Sequence, residues 1–145
     1  MKINIKKLYA DAVIPTRGSI EAAGYDLYAY IDNEIIIKSH ETIMIGTGIS
    51  LEIPDGYFGA IYARSGLASK KNLRPANCVG VIDSDYRGEI KIPLFNDSNL
   101  DQTIDKKERV AQIVIMPYLN IEFNEVDELS KTSRDQSGFG STGLK

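Results

Sequence analysis

The sequence predicts an all-β chain: a jelly-roll-like sandwich or barrel with one short helix and a flexible C-terminal tail. Short alternating or β-branched runs recur along it, and Gly, Pro, Asn and Asp punctuate them. Only residues 64–70 have the character of a helix, with Ser65 as its expected N-cap. Runs of this length between turn residues belong to antiparallel sheets. Residues 2–6 alternate polar and apolar, residues 34–38 are β-branched at their centre, and residues 49–53 alternate again. Pro54-Asp55-Gly56 is a turn signal, and residues 57–63 read as the strand returning from it. Residues 89–92 alternate, and Asn96-Asp97-Ser98-Asn99 marks a further turn. Residues 109–116 form a nearly continuous apolar strand, which Pro117 ends. His40, between Ser39 and Glu41, is a loop residue.

A chain of 145 residues can bury a single core without staples. The expected division is a β domain over residues 1–129 and a tail over residues 130–145, whose small polar composition cannot build a core. A net charge of −3 argues against nonspecific nucleic-acid binding, which wants a basic face. The polar N-terminus lacks a secretory apolar region, and no run has the length of a membrane span. With the single cysteine, Cys78, this points to a reducing, cytoplasmic setting. One Cys and one His cannot make a zinc site within one chain, so an expected metal is a hard cation held by carboxylate or by substrate.

Four segments carry chemistry. In residues 80–88 an apolar run ends on Asp83, followed by Tyr86 and Gly88. A carboxylate at a strand end is placed for solvent chemistry, although Asp-Ser-Asp also makes a polar turn. Residues 63–68 set Arg64, Ser65 and Gly66 at the start of the helix, where free amides bind phosphate oxygens; a plain capped helix is the other reading. Residues 23–29 place Asp26 inside an apolar strand, bonded to a loop or facing a metal. The tail combines Arg134 with Gly138-Phe139-Gly140-Ser141-Thr142-Gly143, an inventory for wrapping a polyphosphate and covering a base, or else an unstructured terminus.

Together with the strand around Gln112, these segments resemble, in order, the five motifs of the homotrimeric dUTP pyrophosphatases (dUTPases). The motifs correspond to residues 23–29, 63–68, 77–88, 107–116 and 134–143, over essentially the whole chain. The resemblance implies hydrolysis of dUTP to dUMP and pyrophosphate, with Mg²⁺ as cofactor and active sites at the subunit interfaces of a homotrimer. It assigns Asp83 as the general base for the attacking water. Tyr86 lies against the deoxyribose; Asn77, with the backbone of Gly80, Val81 and Ile82, reads uracil. Arg64, Ser65, Gly66 and Gln112 hold phosphates, and Asp26 holds Mg²⁺ through water. Arg134 reaches the γ-phosphate, Phe139 covers the base, and Gly140 and Ser141 arrive with the tail.

Two departures stand out: Ala63 where the family often has proline, and Asp135 where it usually has glycine. Two other functions share the resemblance. A dCTP deaminase would carry a catalytic glutamate five residues after Gly88, where this chain has Pro93. A non-catalytic dUTP-sensing regulator would not need Asp83.

Overall fold

The computed structural model describes residues 1–77, 79–136 and 138. Among these residues twelve elements follow one another: β1 (Asn4–Lys7), β2 (Tyr25–Tyr28), β3 (Ile35–Ile37), β4 (Thr42–Gly46), β5 (Ile49–Glu52), β6 (Tyr57–Tyr62), α1 (Ser65–Lys71), β7 (Leu73–Pro75), β8 (Gly80–Ile82), β9 (Lys91–Asn96), β10 (Gln102–Ile104) and β11 (Arg109–Pro117). The strands pair into sheets of order β2-β11-β6-β8 and β4-β9-β7, with two-stranded sheets β1-β5 and β3-β10 beside them. All the pairings are antiparallel. The all-β, jelly-roll-like reading therefore holds, with one short helix.

Alternation builds the core. On β9 Ile92, Leu94 and Asn96 point inward while the residues between them are more exposed. Ile92 and Leu94 join Ile45 of β4, Leu73 of β7 and Val110, Ala111 and Ile113 of β11 in one buried cluster of mostly branched side chains. Such side chains suit a pleated, half-buried surface.

Two expectations need correction, and three strands were not foreseen. Residues 57–62 do form a strand after the Pro54-Asp55-Gly56 turn, but β6 does not pair back onto β5. β5 pairs with β1, and β6 pairs with β11 over six residues, Tyr57 to Tyr62 against Pro117 to Gln112. The longer apolar ladder outcompetes the local hairpin, so the turn changes sheets. Next, Ser65 is not the N-cap: Arg64 is, with extended backbone (φ −87°, ψ 132°) and no side-chain cap. Ser65 is already helical, and the Arg64 side chain turns away to Asp26. Finally, β4, β7 and β10 carry too few residues or too mixed a pattern to announce themselves in sequence.

The helix ends on Asn72 in the left-handed region (φ 52°), whose N–H closes on Ala68 O. Lys71 Nζ pins that end by donating to Thr103 O and Glu108 Oε1, each at 2.8 Å. After β11, residues 118–136 form no strand or helix and are exposed. Among the described residues, no helix is long and apolar enough to cross a membrane.

The predicted turn at residues 96–99 is organised by a buried amide. Asn96 is fully buried; its Nδ2 donates to Ile37 O at 3.0 Å and Leu100 O at 2.7 Å. Its Oδ1 accepts from the Ser98 N–H and hydroxyl. Asn96→Ala should lower stability by about 3 kcal/mol, since it strands buried carbonyls in an apolar layer. Urea unfolding at one fixed protein concentration measures it, and a loss below ~1 kcal/mol would contradict this account.

Candidate active site

The candidate residues fall into two groups on one sheet, one on β2 and β11 and the other around β8. The first is built on β11, whose Gln112 faces Asp26 of β2 on one side and Tyr62 of β6 on the other. The chain leaving β6 brings Ala63 and Arg64 back over this point. Arg64 Nε donates to Asp26 Oδ1 at 2.6 Å, and Gln112 Nε2 donates to Ala63 O at 2.9 Å. A Cβ on Gly24 would collide with the Gln112 amide, so glycine there leaves room for that side chain to lie over the backbone just before β2. Ser65 and Gly66 follow directly as the exposed first residues of α1.

Asp26 also accepts from Arg109 Nη1 on Oδ2 at 3.3 Å. Sequence reading missed Arg109. In a regular strand Arg109 and Gln112, three apart, would face opposite ways. A register shift between Arg109 and Ala111 brings both to the Asp26 side, and a period-two reading has no means of seeing it. The only sequence signal is a lone arginine opening an apolar run. Asp26, 13% exposed, thus sits between two guanidinium groups.

The second group surrounds β8. Asn77 is exposed just before it and packs beside Gly80, where a Cβ would lie 3.0 Å from Asn77 Nδ2. Val81 is exposed and Ile82 half-buried, and Asp83 follows as an exposed carboxylate. The chain then turns: the Tyr86 N–H donates to Asp83 O at 3.2 Å. Arg87 Nη1 ties the turn by donating to Ser84 O at 2.6 Å and Tyr86 O at 3.1 Å. Tyr86, 45% exposed, donates its hydroxyl to Glu89 O at 3.0 Å.

Gly80 pairs with Ile61, one step from the level of Gln112, but the ladder carries Asp83 farther along the sheet. Gln112 faces Tyr62, whereas Asp83 lies one step beyond the Ile82–Gly59 pair. Four steps at about 3.3 Å per residue put them roughly 13 Å apart along the strands. Arg134 is described and exposed, whereas Phe139, Gly140 and Ser141 lie outside the described residues. At Asp135 φ is +43°, a backbone region that glycine enters freely, and its N–H donates to Thr132 Oγ1 at 2.9 Å.

A sequence model of the dUTPase family matches residues 10–143, a span that takes in both groups. The chain belongs to the dUTPase family. It is 47% identical, over the full length of both chains, to a deoxyuridine 5'-triphosphate nucleotidohydrolase of Hydrogenobaculum. It is 52% identical to the enzyme of the same name from Nautilia profundicola, with 99% of each chain covered. Among solved structures, the dUTPase of Staphylococcus bacteriophage 80alpha with dUpNHpp superimposes with a TM-score of 0.89 at 29% identity, over 99% of both chains. The dUTPase of S. aureus phage phi11 gives 0.80 at 25% identity, over 91% of this chain and all of that one.

The two arginines of this dUTPase-family site are not equal partners for Asp26. The Arg64 side chain is 24% exposed and the Arg109 side chain 51%. Asp26→Ala should destabilise the fold by about 2 kcal/mol, the scale of a charged hydrogen bond, by leaving Arg64 half-buried and unpaired. Arg109→Ala should cost less than ~1 kcal/mol, as solvent-exposed pairs do. Denaturant midpoints of the two variants, compared side by side, check the order.

Proposed function

We propose that the chain hydrolyses dUTP to dUMP and pyrophosphate by water attack on the α-phosphorus, in sites completed between the subunits of a homotrimer. Family membership carries the activity. The separation of Asp83 from the Arg64–Gln112 cluster along one sheet supports the shared site. The general base and the phosphate-holding cluster must meet at one phosphorus, yet within one chain Asp83 lies four ladder steps from the level of Gln112, roughly 13 Å along the strands. A neighbouring subunit supplying the second group resolves this. Exposed Leu119, Ile121 and Phe123 beyond β11 support association, because apolar side chains at alternate positions call for a covering partner.

In this reading Asp83 accepts the proton of the attacking water, and its turn holds Tyr86 against the deoxyribose. Asn77 and the β8 backbone at Gly80, Val81 and Ile82 read uracil. Arg64, Gln112 and the uncapped first-turn amides at Ser65 and Gly66 take the phosphates. The tail brings Arg134, Phe139, Gly140 and Ser141 over the bound nucleotide, excluding water as it closes.

Among the described residues no three His, Cys, Asp or Glu side chains cluster as a metal cage. Mg²⁺ does not require one, since it keeps most of its waters and takes its other oxygens from phosphate. Asp26 fits an outer contact of this kind: Arg64 and Arg109 each take one of its oxygens, and a carboxylate accepts up to about four hydrogen bonds. When bound, the ion would neutralise charge on the triphosphate. The chain works where nucleotides are made, in the cytoplasm.

Pyrophosphate release measured with dUTP, dCTP, dTTP and UTP side by side tests the assignment. Turnover should be confined to dUTP. Ammonia release from dCTP would instead place the chain with the deaminases, against which stands Pro93, paired with Met44 in the middle of β9.

Asp83→Asn keeps the shape of the side chain but cannot accept a proton. Its turnover should fall at least 10²-fold, the lower range for general-base catalysis, while nucleotide affinity stays close to that of the parent. Turnover near the parent's would remove Asp83 from the role of base.

A further inference from the structure

The residues directly after Tyr86 form a clamp on its ring. A Cβ on Gly88 would lie 2.9 Å from Tyr86 Cε2, and closer still to Cζ and the hydroxyl. Only a residue without a side chain lets the ring lie flat over the backbone at position 88. The hydroxyl is fixed at its far end by donating to the carbonyl of Glu89 at 3.0 Å. That carbonyl cannot drift, because the Glu89 side chain is itself anchored. Its Oε1 accepts from the Gly48 N–H at 2.9 Å, and its Oε2 lies 3.6 Å from Lys91 Nζ. The Glu89 side chain is only 18% exposed. The next residue is locked to the same point, with the Ile90 N–H on Ile49 O at 2.9 Å and the Thr47 hydroxyl on Ile90 O at 2.7 Å. A line of contacts therefore runs from the turn between β4 and β5, through Glu89, to the hydroxyl of Tyr86.

We propose that Gly88 and Glu89 are positioning residues for sugar selectivity: they fix the plane and height of the Tyr86 ring, and with it the room left for a 2'-hydroxyl. The proposal rests on the reading of Tyr86 as the wall against the deoxyribose. A tyrosine 45% exposed and held at one edge only would swing about χ1 and admit a ribose. Pinned at its hydroxyl and seated on Gly88, it cannot retreat by the width of one oxygen. Neither residue touches the nucleotide on this account, so their loss acts on discrimination more than on the chemical step.

The test is the ratio of kcat/KM for dUTP to that for UTP in the full-length protein, with KM and kcat resolved for each. Gly88→Ala and Glu89→Ala should each lower the ratio about tenfold or more, within the range that one added group is worth in a shaped pocket. The kcat for dUTP should stay within a few-fold of the parent's. Glu89→Gln retains an acceptor for the Gly48 N–H and should keep the parent ratio. Tyr86→Phe, which removes only the hydroxyl, should fall between the parent and Glu89→Ala. Should Gly88→Ala fail to fold, as judged by circular dichroism, the Glu89 and Tyr86→Phe variants decide the matter alone. If Tyr86→Ala collapses the ratio while Glu89→Ala and Tyr86→Phe leave it intact, the clamp is wrong and the wall stands. If the ratio survives Tyr86→Ala, the wall itself is wrong and the clamp falls with it.

Discussion

Everything at the candidate site hangs on the double pairing of β11. Because Gln112 is hydrogen-bonded into a ladder with β2 on one side and β6 on the other, Asp26 and the chain leaving β6 arrive at the same place. A slip of one residue in either ladder would turn Asp26 or Gln112 to the opposite face. The register is defended by the inward residues of the same strand, Val110, Ala111 and Ile113, which would be thrown into solvent by such a slip. The geometry of the candidate site is thus held by the burial of the apolar residues that flank Gln112 on the same strand.

The Asp26–Arg64 pair does a different job. Arg64 stands at the N-terminus of α1 but spends its guanidinium on a strand rather than on its own helix. That leaves the first-turn N–H groups without a side-chain cap and free for an incoming anion. The helix is short, and Leu67 is its single buried residue; Asn72 and Lys71 secure its other end. The uncapped end is tolerated because the rest of the helix is tied down.

Much of this was legible in the sequence. β11 announces itself as a long apolar run and the Asn96 turn by its turn-favouring residues, whereas of β9 only the start was legible, in the alternation over residues 89–92. Asp26 stands out as a carboxylate in an apolar strand. What sequence could not give came from competition and irregularity. The Pro54-Asp55-Gly56 turn looks like a hairpin, and only the comparison of two ladders shows that β6 belongs to β11. Arg109 escaped because a register shift, a property of the pairing rather than of the residues, carries it to the face of Asp26. Glu89 escaped because its role runs through a main-chain carbonyl and an amide of a distant turn. No pattern of side chains encodes such a contact.

Asp26 and Asp83 sit at different levels of one sheet, and this bears on how damage to the protein is inherited. On the shared-site reading, a fault at Asp26 spoils the half-site a subunit keeps, while a fault at Asp83 spoils the half-site it lends. Two alleles, each inactive alone, are then broken in different halves. When both are expressed together, mixed trimers contain one interface at which an intact kept half meets an intact lent half. Such alleles would complement one another in a cell, whereas two faults within the same half would not.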